Sequence, residues 1–325
     1  MARSDLIVKL VKAGGEGNKE YFKKIVESII AEEKSKQHFI LANQLEQELT
    51  SLNKSSSLTL SNLFVSHPDN LENFILTINP RKSFEDLILD SALQKQLEEF
   101  INEQFRKELL HAYNLEPRHK ILLVGPPGNG KTSVAEAIAQ TLMIPLFIVK
   151  YETMIGSYLG ETANHLKKIF DFVRTNQCVL FFDEFDAIAK ERGDNQESGE
   201  IKRVVNSLLL QIDRLPSFVT VIAATNHPDL LDLAIWRRFQ IQLELKKPTQ
   251  QKILLWIKKF EENFDQKLPI SHAVLSKNLN GLSFSEIQDF GLDIQRKYVL
   301  SLPSNNLESI INDCLTELKR KYKVK

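Results

Sequence analysis

The chain has 325 residues, of which 42% are hydrophobic, and its 42 basic side chains balance its 42 acidic ones. A chain of this length forms about two domains, and this apolar share builds a sizeable core, which excludes an intrinsically disordered protein. The zero net charge argues against a nucleic-acid-binding surface along the whole chain, and two cysteines exclude a disulfide framework or a cysteine-rich zinc site.

The sequence carries no signal for a membrane or for secretion. No apolar run approaches the roughly 20 residues that span a bilayer. The N-terminus leads into a helical pattern that contains lysines, and it lacks the apolar segment of a signal peptide. We therefore expect a cytoplasmic protein that contacts no membrane.

Residues 1–80 are predicted to form a small helical N-terminal domain followed by a linker. Apolar residues recur at helical spacing through 3–50, interrupted by a glycine cluster at 14–17. A serine-rich stretch at 50–62 is typical of an exposed linker. Two functions stay open for this domain, which are the binding of a partner and a helical cap that stabilises an assembly.

Residues 81–247 alternate helices with short apolar runs. Helices are predicted at 91–112, 130–142, 161–174 and 198–213, and strands at 121–124, 146–149, 179–182, 219–224 and 241–245. Short buried strands that alternate with helices predict an α/β fold, a parallel sheet with flanking helices. Residues 248–325 show helical patterns without strand-like runs, which predicts an all-α lid domain after the α/β domain.

A glycine-rich loop lies between the first of these strands and the helix after it. Its sequence matches the pattern G-x-x-x-x-G-K-[ST] of P-loop NTPases, in which backbone N–H groups and a helix N-terminus surround phosphates. Lys131 supplies charge to the β- and γ-phosphates, and Thr132 offers a hydroxyl to Mg²⁺. The predicted nucleotide-binding residues are Gly125, Pro126, Pro127, Gly128, Asn129, Gly130, Lys131, Thr132 and Ser133.

Polar side chains follow two later strands. Asp183 and Glu184 come directly after the apolar run at 179–182, and Asn226 follows the run at 219–224. Parallel strands deliver such residues to the edge of the sheet where ligands bind. We predict that Asp183 holds Mg²⁺, that Glu184 polarises the attacking water, and that Asn226 orients it. The pair of carboxylates predicts hydrolysis of a nucleoside triphosphate.

Together these segments resemble the AAA family of ATPases over about residues 80–300. The glycine loop is similar to the family's Walker A segment, Val179–Asp186 to Walker B, and Ala224–Asn226 to sensor 1. The resemblance implies ATP and Mg²⁺ as cofactors. It also implies a homo-oligomeric ring, usually a hexamer, with ATP bound between subunits.

An arginine pair extends the resemblance. Leu231–Phe239 is similar to the family's arginine-finger segment, which implies that Arg237 and Arg238 reach the neighbouring subunit's γ-phosphate and stabilise the transition state. The family often separates these arginines by two residues, whereas here they are adjacent. Arg238, which precedes Phe239, fits the second finger better. From the residues alone, a solvated basic pair is the alternative.

Two segments resemble parts of the family that contact the substrate or the nucleotide. Ser157–Glu161 is similar to the first pore loop, which implies that Tyr158, with Leu159 beside it, grips a polypeptide. Gly281–Ile287 is similar to a lid segment, with Phe284 and Ser285 in place of the family's Gly-Ala, and the effect of this change stays open. A polar stretch at 191–197 is either a second pore loop or a surface loop.

The resemblance implies an enzyme that hydrolyses ATP to remodel, unfold or thread a protein substrate. The layout also resembles bacterial AAA ATPases encoded beside subtilisin-like serine proteases, which implies such a protease, on a separate chain, as a partner. The alternative is a nucleotide-controlled binding switch or loader that acts on a protein or DNA partner. The Tyr158 loop favours remodelling. A DNA partner would favour a basic stripe, which occurs only in the tail at 319–325.

Overall fold

The computed structural model describes residues 71, 73–150, 159–186, 198–264, 266–302 and 306–323, together with Ile25, Val26, Ser28 and Ile30. For 159–163, 198–204 and 322–323 it describes the backbone alone. The chain divides into two compact units, Met1–Ser66 and His67–Lys325. In the first unit the described side chains of Ile25, Val26 and Ile30 are buried. None of the helices in these described ranges is long and apolar enough to cross a membrane.

The second unit alternates strands with helices. Its described strands are β1 (Ile75–Ile78), β2 (Lys120–Val124), β3 (Leu146–Val149), β4 (Cys178–Phe182), β5 (Val219–Thr225) and β6 (Ile241–Glu244). Its described α-helices are α1 (Ser91–Phe105), α2 (Lys107–Ala112), α3 (Lys131–Leu142), α4 (Leu159–Val173), α5 (Ser198–Asp213), α6 (Leu233–Trp236), α7 (Gln250–Glu261), α8 (His272–Asn278), α9 (Phe284–Leu300) and α10 (Leu307–Lys323). The predicted α/β fold, followed by a helical C-terminal region, is confirmed.

The six described strands form one sheet in the order β1-β3-β4-β5-β2-β6. Strands β2 to β6 are parallel, as predicted, whereas β1 pairs with β3 in the antiparallel direction, with Ile75 opposite Val149. The sequence analysis did not predict β1, which lies in the range assigned to the helical domain and linker. Four residues are too few to distinguish a strand from a helix by periodicity, and pairing with β3 decides the outcome.

The central strands of the sheet are buried on both faces. All residues of β2, β4 and β5 are buried, as in parallel sheets that helices cover. Leu97 and Phe100 of α1 pack with Ile138 of α3 and the sheet in one apolar core. Because this core holds the strands rigidly, the described residues directly after β2, β4 and β5 have defined positions.

The helices after β6 have a separate apolar core. Ile257 of α7, Leu275 of α8, Ile287 of α9 and Ile311 of α10 are buried together in it. Side-chain oxygens cap the N-termini of all four of these helices, which satisfies backbone N–H groups that have no partner within the helix. The capping residues are Thr249, Ser271, Ser283 and Asn306.

Candidate nucleotide site

The glycine-rich loop connects β2 to α3 with a backbone that other residues adopt at a cost. Gly125 has a φ of +145°, and a Cβ atom on it would lie 2.2 Å from the carbonyl oxygen of Leu245. Gly128 and Gly130 have φ values of +74° and +90°, in the left-handed region that glycine tolerates. The structure therefore requires glycine where the motif has it, and α3 begins directly after the loop.

Lys131, the first residue of α3, is buried under the loop. Its Nζ donates to the carbonyl oxygens of Gly125 at 2.6 Å and Pro126 at 3.1 Å, and to Oδ1 of Asn226 at 2.7 Å. Burial lowers the pKa of Lys131, and the charges of Asp183 and Asp186 partly offset this effect. The ammonium group of Lys131 therefore contacts both the loop after β2 and Asn226, directly after β5.

Thr132 lies beside the acidic end of β4. Its Oγ1 donates to Oδ2 of Asp183 at 3.3 Å, and Oδ1 of Asp183 accepts from the backbone N–H of Glu184 at 2.9 Å. A hydroxyl and a carboxylate are hard oxygen donors of the kind that Mg²⁺ prefers, so the two residues fit the predicted metal site.

Glu184 has an exposed carboxylate on a strained backbone. Its φ is +48°, which is uncommon for a residue with a side chain and costs on the order of 1 kcal/mol. Such strain often occurs at functional sites, where it aims a side chain that an ordinary turn would direct elsewhere. Here it places Glu184 at the same cavity as Lys131 and Thr132.

Asp186 connects the acidic turn with the predicted sensor. Its Oδ1 accepts from Oγ1 of Thr225 at 2.9 Å and from the backbone N–H of Asn226 at 3.2 Å. Asn226 in turn accepts from Lys131, so Asp186 positions the amide that contacts the buried lysine. The sequence analysis assigned no role to Asp186; the available signal was a third carboxylate two residues after Glu184.

The lid borders the glycine loop directly. The backbone N–H of Ser285 donates to the carbonyl oxygen of Gly128 at 2.9 Å, and that of Phe284 to Oδ1 of Asn129 at 3.4 Å. The two residues that replace the expected Gly-Ala therefore touch the loop. Between the loop, the segment at 82–89 and helices α7 and α9 lies a cavity of about 880 Å³.

The structure brings together most of the predicted site, but the arginine pair is not part of the cavity in the same chain. Nε of Arg238 donates to Oδ2 of Asp213 at 2.9 Å, and its Nη1 donates to the carbonyl oxygen of Ala234 at 2.7 Å. The side chain of Arg237 is exposed. Both arginines lie at α6, on the loop between β5 and β6, and neither lines this cavity.

The predicted pore residues fall mostly outside the described part of the chain. Tyr158 is outside it, and Leu159 is described only as the first backbone position of α4. The stretch at 191–197 also lies outside the described residues. These three assignments stay predictions from the sequence.

Comparison with known proteins gives one consistent result. Residues 121–247 match the model of the ATPase family associated with various cellular activities (AAA). The chain is similar to the AAA family ATPase y4kL of Sinorhizobium fredii, with 40% identity over 293 residues, which is 89% of this chain and 87% of that protein. It is 35% identical to a cell division cycle protein 48 homolog of Archaeoglobus fulgidus over 55% of this chain and 25% of that protein. It is 40% identical to the peroxisomal ATPase pex6 of Schizosaccharomyces pombe over 39% of this chain and 14% of that protein.

Proposed function

The chain belongs to the AAA family of ATPases and hydrolyses ATP, and we propose that it uses the energy of this reaction to remodel, unfold or thread a polypeptide. We propose that it does so as a homo-oligomeric ring, with six subunits as in many members of the family. One observation supports the ATP hydrolysis on which this proposal depends. The cation, the hydroxyl, the two carboxylates and the amide predicted to serve hydrolysis all line one cavity: Lys131, Thr132, Asp183, Glu184 and Asn226.

The cavity separates the tasks of hydrolysis among these side chains. The ammonium of Lys131 binds the β- and γ-phosphates, and the oxygens of Thr132 and Asp183 hold Mg²⁺. When bound, Mg²⁺ neutralises the charge that develops on the phosphate oxygens. The carboxylate of Glu184 accepts the proton of the attacking water, and the amide of Asn226 holds that water in position.

The arginine pair supports action between subunits. Arg238 and the exposed Arg237 are separate from the cavity of their own chain, so we propose that they approach the γ-phosphate bound by a neighbour. In a ring, each subunit presents one surface to the next, so one arginine pair serves each nucleotide. Hydrolysis in one subunit is then coupled to the position of the next.

The proposed substrate is an extended polypeptide that passes through the ring. Its support is the resemblance of the segment with Tyr158 and Leu159 to a pore loop, where an aromatic ring grips a chain regardless of sequence. We propose a cytoplasmic location. A subtilisin-like serine protease on a separate chain belongs to the proposal as a partner, supported by the resemblance in layout.

Two variants separate ATP hydrolysis from work on a polypeptide. Glu184→Gln keeps the size and shape of the side chain but removes the base, so it should bind ATP and lose both hydrolysis and unfolding. Tyr158→Ala should keep basal hydrolysis and lose unfolding, because it removes the aromatic grip alone. Unfolding is measured on a fluorescent protein that carries an unstructured tail, and ATP hydrolysis is measured by phosphate release.

The controls are the wild-type protein and the variant Lys95→Gln, which changes an exposed residue and should keep both activities. Lys95 is exposed on α1 and does not line the cavity. Hydrolysis undiminished in Glu184→Gln would remove Glu184 as the base. Full unfolding activity in Tyr158→Ala would overturn the threading proposal and leave the nucleotide site intact.

A further inference from the structure

A second lysine lies at the nucleotide cavity, outside every motif of the sequence. Nζ of Lys82 donates to Oγ of Ser133 at 2.9 Å, and its side chain, 48% exposed, lines the cavity. The residue precedes the sheet's buried strand β2 by 38 positions, so the glycine-loop pattern does not include it. The tertiary structure alone brings its charge to the loop.

Glu136 holds Lys82 in this place. Oε1 of Glu136 accepts from the backbone N–H groups of Arg81 at 3.0 Å and Lys82 at 3.3 Å. Its Oε2 lies 3.9 Å from Nζ of Lys82, and the carboxylate is only 18% exposed. A residue on the second turn of α3 therefore orients both the backbone and the side chain of Lys82.

The position of Ser133 indicates which phosphate Lys82 faces. Lys131 and Thr132 serve the β- and γ-phosphates and the metal, and the loop surrounds the α- and β-phosphates. Ser133, the next residue along α3, also lines the cavity, and it contacts the segment at 82–89 through Lys82. A triphosphate whose β- and γ-phosphates lie at Lys131 and Thr132 would place its α-phosphate, which joins it to the nucleoside, on this side of the loop.

Lys82 also has the capacity to bind an anion. An ammonium group has three N–H donors, and the described contacts of Nζ are one hydrogen bond, to Ser133, and one longer ion pair, to Glu136. A cation with free donors at a partly enclosed cavity binds phosphate through charge-assisted hydrogen bonds.

We propose that Lys82 is a nucleotide-binding residue that contacts the α-phosphate of ATP and ADP, with Ser133 and Glu136 as its positioning partners. The inference rests on the nucleotide site of the proposed function. Because ATP and ADP share the α-phosphate, Lys82 contributes equally to the affinity for both. It therefore strengthens retention of the product as much as binding of the substrate.

The test measures dissociation constants for ATP and ADP, with Mg²⁺, by titration calorimetry on the full chain. Lys82→Met, which keeps the length of the side chain and removes the charge, should weaken both by a similar factor of about ten, equivalent to about 1.4 kcal/mol. Lys82→Arg should restore most of the affinity because it keeps a cation. Lys95→Met, an exposed lysine away from the cavity, is the matched control and should leave both constants unchanged.

A thermal unfolding curve without nucleotide, for each variant, separates a binding role from a structural one. Unchanged affinities in Lys82→Met would overturn the inference, as would an equal loss in Lys82→Met and Lys82→Arg. A lower unfolding temperature with intact affinity would make Lys82 a structural tie between its segment and α3. If the wild-type chain binds neither nucleotide, the proposed function fails; if it binds both and Lys82→Met binds as tightly, this inference alone fails.

Discussion

At the scale of single residues, the candidate hydrolytic site includes a carboxylate that does not line the cavity, that of Asp186. Asp186 accepts from Thr225 and from the backbone of Asn226, and Asn226 accepts from Lys131. This series of hydrogen bonds joins the turn after β4 to the end of β5. A small shift at Asp186 therefore reaches both the amide and the lysine.

Asp186→Ala should lower kcat for ATP hydrolysis by on the order of ten- to a hundredfold, because a misplaced group of this kind costs about that much. The dissociation constant for ATP should change less than kcat, since Asp186 makes no phosphate contact in the proposed site and reaches Lys131 only through Asn226. Phosphate release over a range of ATP concentrations separates the two quantities.

Asp186→Asn is the matched control. Its side-chain oxygen can accept the same two hydrogen bonds without the charge, so kcat should recover most of its wild-type value. If Asp186→Asn is as slow as Asp186→Ala, the charge of Asp186 matters rather than its positioning of Asn226.

At the scale of secondary-structure elements, the wall of the cavity depends on how closely α7 and α9 pack. Trp256 stacks on Phe260 with ring centroids 4.8 Å apart and planes 10° from parallel. Gly291 of α9 lies against this pair, and a Cβ atom on it would be 2.8 Å from two ring carbons of Trp256. The three residues all line the nucleotide cavity.

Gly291→Ala should destabilise the protein by about 1–3 kcal/mol, because the added methyl group overpacks the contact with Trp256. The direction of the change in stability distinguishes a close contact from open space, since replacing glycine by alanine inside an unobstructed helix stabilises it by about 0.5–1 kcal/mol. Chemical denaturation followed by tryptophan fluorescence measures the change.

Asp289→Ala, at an exposed position of the same helix, provides the comparison and should change stability little. A Gly291→Ala variant at least as stable as the wild type would show that α7 moves away from α9 without cost.

At the scale of the whole molecule, the proposed role of the arginine pair requires more than one chain. Within a chain, Arg238 pairs with Asp213 and contacts Ala234, and neither Arg237 nor Arg238 lines the cavity. Hydrolysis by an isolated subunit would therefore lack the arginines. If Arg238 serves a neighbour, it exchanges its ion pair with Asp213 for a contact with the γ-phosphate.

This arrangement predicts that two inactive variants restore each other. Arg238→Ala lacks the finger, a group worth roughly 10³-fold or more in related phosphoryl transfers, and Glu184→Gln lacks the base. In an equal mixture of subunits, about a quarter of head-to-tail interfaces combine an intact Glu184 with an intact Arg238. Phosphate release from the mixture should therefore rise well above that of either variant, toward a quarter of the wild-type rate.

The control is a mixture of Glu184→Gln with the double variant that carries both changes, which has no competent interface and should stay inactive. Light scattering reports whether rings form in each sample. Mixed rings without restored hydrolysis would show that Arg238 acts within its own chain or on structure alone.

Features with a local physical cause were predictable from the sequence. Apolar runs bounded by helices predicted the parallel strands β2 to β5, because burial on both faces leaves no polar alternation. Strand β6, at the edge of the sheet, was predicted in the same way, although it alternates buried and exposed residues. The glycine loop was predictable because its backbone needs φ values that other residues avoid, and the structure has those values at Gly125, Gly128 and Gly130. Strand order explains why Asp183 and Asn226 come to the same edge.

Other features exist only because distant segments meet. Strand β1 is extended because β3 offers it hydrogen-bonding partners, and four residues carry no periodicity of their own. The position of Asp186 depends on a strand that ends 39 residues later, and that of Lys82 on a helix that begins 49 residues later. The sequence by itself determined the candidate groups for binding and hydrolysing a nucleotide, since that chemistry belongs to the residue types. The tertiary structure decided which further groups orient them, since such contacts depend on packing between elements far apart in the chain.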